Sequence, residues 1–193
     1  MYTIEIKKYH FLNEIAERVG TVIFGGSEDA AIPAGELHQA FAMETALYNR
    51  SFQNLSVEDG IKLYDSCIHP LHPQTLLLHI GEADLEDFAE NSTAFDQKYR
   101  SLVSHIRQQD KKCTIAIISL KNQKGCKDIA EMNRHLKHIA DSERCEFFDI
   151  SEKTLRNPQG MKQISFLQTT GFARRLPSRQ PIANTVKILY GFI

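Results

Sequence analysis

The feature that most constrains the fold is the run Thr114-Ile115-Ala116-Ile117-Ile118-Ser119-Leu120. Side chains alternate across a strand with a period of two, so a strand with one wet face alternates polar and apolar residues. This run does not alternate, which means both of its faces must be covered, as in a parallel sheet buried under helices. Thr21-Val22-Ile23-Phe24, ending in Gly25-Gly26, and Thr75-Leu76-Leu77-Leu78-His79-Ile80, ended by Gly81, have the same character. Tyr48-Asn49-Arg50-Ser51-Phe52 and Cys145-Glu146-Phe147-Phe148-Asp149-Ile150 are read as two further strands.

Segments of helical spacing lie between these runs: Glu36 to Leu47, Val57 to Cys67, Phe95 to Gln109 and Asp128 to Ser142. Ser56 is placed to cap the second of these, with Glu58 and Asp59 where the helix dipole favours acid. At the start of the chain, Ile4 to Ile6 is read as a short strand or extended arm. Phe11, Leu12, Ile15, Ala16 and Val19 then recur as a helix closed by Gly20. Two prolines mark His69-Pro70-Leu71-His72-Pro73 as a loop. Alternation of strand and helix predicts a three-layer α/β/α sandwich around a mostly parallel sheet of about five strands.

The length of 193 residues suits one domain over 1–193. Residues 1–20 are read as an N-terminal extension and 173–193 as a basic and apolar C-terminal segment. With 42% hydrophobic and 24% charged residues the chain can bury a core. A net charge of −1 gives no overall field of one sign, and no nucleic-acid partner is expected. Cys67, Cys113, Cys126 and Cys145 lack metal-site spacing and are read as free thiols. No cofactor or metal is expected. No signal pattern and no apolar run long enough to span a bilayer is seen, which points to a cytoplasmic protein without a membrane span. Lys153 to Ile193 carries no acid and seven of the 23 basic residues. Arg174, Arg175 and Arg179 are read either as partners of the acidic body or as a grip for an anionic ligand. The apolar stretch from Ile182 is a candidate for self-association into a homo-oligomer.

In open parallel sheets ligands bind beyond the carboxyl ends of strands. Ser27, after Gly25-Gly26, sits at such an end, where a nucleophile or a plain polar turn would both fit. His79 lies within a strand and is read as a hydrogen-bonded core residue. His69 and His72 lie at the opposite end of the sheet. His135 and His138, three apart on a helix, are read as a solvated face because no third metal ligand is evident.

Val22-Ile23-Phe24-Gly25-Gly26-Ser27-Glu28-Asp29, with Ile32-Pro33 and Glu36-Leu37 after it, resembles the first conserved block of the SGNH (GDSL-type) hydrolases. Tyr48 to Phe52 resembles their second block, and Leu76 to Leu85, with Gly81-Glu82-Ala83-Asp84, their third. Asn133 matches a recurrent helix Asn, and Gly171-Phe172 resembles the Gly-Tyr after the fifth block. The resemblance covers roughly Thr21 to Phe172 and implies a flavodoxin-like SGNH-hydrolase fold with Ser27 at the nucleophile position. It also implies departures. Gly26 replaces the family's Asp, Asn54 falls near the second-block Gly, and Ala83 replaces the third-block Asn. Gln163 and Phe166 fall where Asp-x-x-His should stand, and no histidine follows His138.

Three functions are therefore expected to compete. The first is a degenerate SGNH-like protein that keeps its cleft and binds a small ligand. The second is an esterase using Ser27 with an unusual base, with Glu82 or Asp84 the candidates and Asp84 otherwise bonded to loop amides. The third is an assembly module acting through the C-terminal segment. The fold alone does not decide whether the chain is an enzyme.

Overall fold

The computed structural model describes residues 2–122, 127–151 and 181–190. Its centre is a five-stranded sheet made of β1 (Thr21–Gly25), β2 (Leu47–Asn49), β3 (Thr75–His79), β4 (Thr114–Ile118) and β5 (Glu146–Phe148), in the order β2-β1-β3-β4-β5. Every pairing is parallel. The strands that read as continuous apolar runs, β1 and β3, are buried at all five positions.

Alternate residues of these strands face two separate cores. Val22, Phe24, Leu76, Leu78, Ile115 and Ile117 pack on one side. That side is covered by α1 (Thr3–Glu14), α4 (Val57–Leu63), α5 (Leu85–Glu90), α6 (Ser92–Gln109) and α7 (Lys127–Ser142). Ile23, Leu77, Ala116 and Ile118 face the other side. Two shorter helices close that side: α3 (Ala34–Ala40), which follows the single turn α2 (Ser27–Ala30), and α8 (Pro181–Tyr190). This is the three-layer sandwich that unbroken apolar strands require. No helix among the described residues is long and apolar enough to cross a membrane.

Several boundaries differ from the sequence expectation. Ile4 to Ile6 is helix rather than strand. Tyr2, Ile6, Tyr9, Leu12 and Ala16 recur three or four apart and pack on the core, whereas Ile4, Phe11 and Ile15 are exposed. Gly20 is not a helix cap. A Cβ there would lie 2.6 Å from the Ala46 carbonyl oxygen, and the left-handed residue is Val19, at φ 69°. The helix expected over Glu36 to Leu47 stops at Ala40, since Ala42 turns the chain at φ 44° and Leu47 starts β2. Strand β2 ends at Asn49, although the Arg50 and Phe52 N–H groups still donate to Ile23 and Gly25 carbonyls (2.9 and 3.0 Å). After α4 the chain continues through a wide π turn over Tyr64–Ile68 into a 3₁₀ turn over His69–Leu71, so the segment read as a loop is helical. Pro70 is tolerated there because the first turn of a helix needs no N–H from it.

Ser56 caps α4 as expected, its hydroxyl accepting from the Asp59 N–H. Asn133 of α7 holds the end of β4, receiving the Leu120 N–H on Oδ1 (2.7 Å) and donating from Nδ2 to the Leu120 carbonyl (2.8 Å). Asn133→Ala would orphan both groups in a buried site and should cost roughly 2–4 kcal/mol, read as a lower urea midpoint at unchanged m-value.

The apolar segment from Ile182, a candidate for self-association, instead turns inward. Val186, Leu189 and Tyr190 are buried on the chain's own sheet with Ile23 and Leu77. Cys67, Cys113 and Cys145 are free thiols, each with its pKa raised chiefly by burial. Cys126, Arg174, Arg175 and Arg179 lie outside the described residues.

Candidate functional site

Strand order reverses at β1. From β1 the chain crosses to β2 on one side, then returns to lay β3 on the other. The carboxyl ends of β1 and β3 therefore flank a topological switch point, where a crevice forms. Gly25 is paired with His79 across these strands, and the Gly26 N–H donates to the His79 carbonyl (3.2 Å). The segments Gly26-Ser27-Glu28-Asp29 and Gly81-Glu82-Ala83-Asp84 leave the sheet side by side.

Ser27 opens α2 and is half-buried. Its Oγ accepts the Asn54 N–H (3.0 Å) and donates to Asn54 Oδ1 (3.3 Å). Asn54 reaches this position with a left-handed backbone, φ 52°, which asparagine adopts more readily than most residues. Among the described residues no carboxylate or imidazole joins Ser27 in a hydrogen bond. Glu82 comes near from the other side, since a Cβ on Gly26 would lie 3.8 Å from Glu82 Oε2. The Glu82 pKa is raised, chiefly by burial and then by the charge of Glu28. Glu28 itself pairs with Lys121 at 2.9 Å. Ala83 is exposed and offers no side-chain donor. Gly81 takes φ 139°, a conformation that favours glycine, with Met132 packed where a side chain would begin.

Asp84 is bound to α4 rather than to Ser27. Both of its oxygens accept the Val57 N–H (3.1 and 3.2 Å) at the start of α4. Burial lifts its pKa to about 6 against the opposing pull of that N–H. The native state thus holds the Asp84 proton more tightly than the unfolded chain does. The associated stability is full below pH 3.8 and is lost as pH rises through about 6. Asp84→Asn keeps an acceptor for Val57 without the buried charge. It should match or exceed the parent's melting temperature at pH 7 and flatten the pH dependence of melting between pH 4 and 6.

The most elaborate arrangement at this end of the sheet is one the sequence analysis did not assemble. The Asp29 carboxylate, 1% exposed, meets His79 Nδ1 at 2.8 Å and the Tyr190 hydroxyl at 2.9 Å. Burial opposes a charged imidazole, but the charge and hydrogen bond of Asp29 prevail and raise the His79 pKa. Burial, followed by Asp29, pushes the Tyr190 phenol up. His79 Nε2 has no partner among the described residues. His79 also lines a cavity of about 20 Å³ together with Glu28, Glu82, Leu120, Lys121 and Ile129. The network is buried and ties α2, β3 and α8 together. Two signals pointed to it: a histidine inside an unbroken apolar strand, and an acid two residues after Ser27. A buried polar group needs a partner, but which one depends on α8, far away in sequence.

The crevice thus brings Ser27, Asn54, Gly26 and Glu82 together, with Gly81 shaping the turn, and leaves Asp84 to a structural bond. Gln163 and Phe166 lie outside the described residues. His135 pairs with Asp96 (2.9 Å) and packs on Phe88, so it is not simply solvated.

No protein-family model matches the chain, and no curated protein is similar to it in sequence. Solved structures do resemble it. A Streptococcus pneumonia protein described as a platelet activating factor superposes with a TM-score of 0.66 at 16% identity, over 81% of this chain and 77% of that one. A GDSL-like lipase from Bacteroides thetaiotaomicron gives 0.59 at 15% identity, over 75% and 77%. The acetyl xylan esterase AlAXEase gives 0.58 at 12% identity, over 88% and 96%. The five-stranded parallel sheet and its covering helices agree with these structures: the chain has the fold of the SGNH, or GDSL-type, hydrolases.

Proposed function

We propose that this domain is a degenerate SGNH-type protein that keeps the cleft and the serine position but hydrolyses esters feebly or not at all, and that the cleft holds a small ligand. The observation that carries this is the surroundings of the Ser27 hydroxyl. Its proton points to an amide oxygen, Asn54 Oδ1, which is far too weak a base to remove it. A serine alcohol is a poor nucleophile without an adjacent base. Loss of triad members removes about four to six orders of magnitude in rate. His79 is the imidazole on the neighbouring strand end, but its Nδ1 is held by Asp29 and the residue is buried. The structural relatives named as lipase and esterase raise the opposite expectation, and Glu82 gives it one concrete support. A half-buried carboxylate with a raised pKa stands beside Gly26 and could act as a weak base.

The two readings separate in one assay. With p-nitrophenyl acetate, the wild type, Ser27→Ala and Glu82→Gln should hydrolyse at the same rate, equal to the buffer background. A wild-type rate a hundredfold or more above Ser27→Ala, lost again in Glu82→Gln, would establish the esterase reading instead.

A further inference from the structure

We propose that His69, His72 and Asp110 form a binding site for one divalent transition-metal ion, with zinc the best match to the donors, at the end of the sheet opposite Ser27. The three residues come from separate parts of the chain. His69 opens the 3₁₀ turn after α4, His72 follows that turn, and Asp110 ends α6. Gln74, two residues past His72, accepts the Thr114 N–H at the start of β4, which fixes the two segments beside each other (2.9 Å).

Both imidazoles turn the same nitrogen toward the same carboxylate. His69 Nδ1 lies 2.8 Å from Asp110 Oδ2, and His72 Nδ1 lies 3.2 Å from Oδ1. One ligand atom from each residue falls within 4.8 Å of the others. Zinc bonds of about 2.0–2.2 Å in a tetrahedron need donors roughly 3.3–3.5 Å apart, so small side-chain rotations bring the set onto one ion. Two imidazoles and a carboxylate are borderline donors that suit zinc, cobalt or nickel rather than magnesium or calcium. Three protein ligands leave a fourth position, and here it opens outward. His72 and Asp110 border a depression of about 550 Å³ shared with Lys111, Lys112 and Cys113.

The surroundings fit a prepared site. The Asp110 side chain is 8% exposed, while those of His69 and His72 are 31% and 48% exposed. The carboxylate is thus anchored and the imidazoles are reachable. The Tyr64 hydroxyl donates to Asp110 Oδ2 (2.5 Å), orienting the ligand from behind. His72 takes a left-handed backbone, φ 46°, which makes asparagine a suitable replacement there.

The test uses the full chain, stripped of metal, and titrates it with Zn²⁺ by calorimetry and with Co²⁺ by visible absorption. The wild type should bind one ion per chain with a dissociation constant of micromolar order, and Co²⁺ should give the strong d–d bands of a low-coordinate site. His69→Gln and His72→Asn should each weaken binding at least tenfold and abolish those bands. Thermal melts should confirm that both variants fold. His138→Gln, on a different face, should bind as the wild type does. Absence of binding by the wild type would overturn the proposal. So would binding that survives His69→Gln and His72→Asn together, or binding lost only with Cys113→Ser.

Discussion

Asp29→Ala should lower folding stability by about 3–5 kcal/mol, because it breaks a buried charged pair by removing one member. Asp29 is 1% exposed and satisfies His79 and Tyr190 at once. Without it, His79 keeps both ring nitrogens buried, and the Tyr190 hydroxyl loses its acceptor 161 residues away in sequence. The natural control is Tyr190→Phe, which removes one hydrogen bond to a charged group and should cost about 1.5–3 kcal/mol. Urea unfolding of the parent and both variants measures the two losses. The raised His79 pKa adds a pH signature. Its pairing strengthens the fold most below the unfolded imidazole pKa of 6.5, and that contribution fades as pH climbs through the higher native value. Asp29→Ala should erase this decline on the alkaline side. An Asp29→Ala midpoint equal to the parent's would mean that the network holds nothing together.

Gly25→Ala should be nearly as damaging, at about 3–5 kcal/mol, and for a related reason. A methyl group on Gly25 would overlap the Asp29 carboxylate and touch its Cβ at 3.0 Å. Gly25 ends β1, an interior strand, and is paired with His79, which restrains its backbone. The carboxylate must leave instead, which costs the buried pair as well as the strain of overpacking. Coupling gives the sharper check. In an Asp29→Ala background most of the obstructing atoms are gone, so adding Gly25→Ala should cost only about 1 kcal/mol more. A double-mutant cycle would then show about 2 kcal/mol or more of interaction energy between neighbours. Strictly additive losses would contradict this account of the glycine.

The second glycine behaves differently. A Cβ on Gly26 meets nothing closer than Glu82 Oε2 at 3.8 Å. Where the resemblance to the GDSL-type hydrolases would place an acid, this chain has an opening beside a carboxylate.

The sheet was legible because its signal is local. Thr75 to His79 cannot face water on either side, and neither can Ile115 to Ile118, so parallel strands under helices followed from composition run by run. The Ser27 turn was legible for the same reason, through Gly25-Gly26 after an apolar strand. Asp84 was read as either a weak base or a structural acceptor, and it accepts the Val57 N–H. What failed was edge placement and long-range pairing. Ile4 to Ile6 alternates like a strand, yet Tyr9, further along, decides the buried face and makes it helix. His69 and His72 were read only as lying at the opposite end of the sheet from Ser27, and Asp110, which the end of α6 brings against them, was not singled out. His79 was singled out and Asp29 was not, and nothing local says that they touch. Tyr190 closes their network from a segment that the sequence made a candidate for self-association.

The claim beneath the functional proposal is about one hydroxyl, and a covalent probe addresses it directly. The full chain would be incubated with a fluorophosphonate beside an active GDSL-type esterase, and intact masses followed over time. No Ser27 adduct should form while the esterase is labelled to completion. Rapid stoichiometric modification of Ser27, absent in Ser27→Ala, would show that something close by does take its proton, and the inactive-cleft account would be wrong.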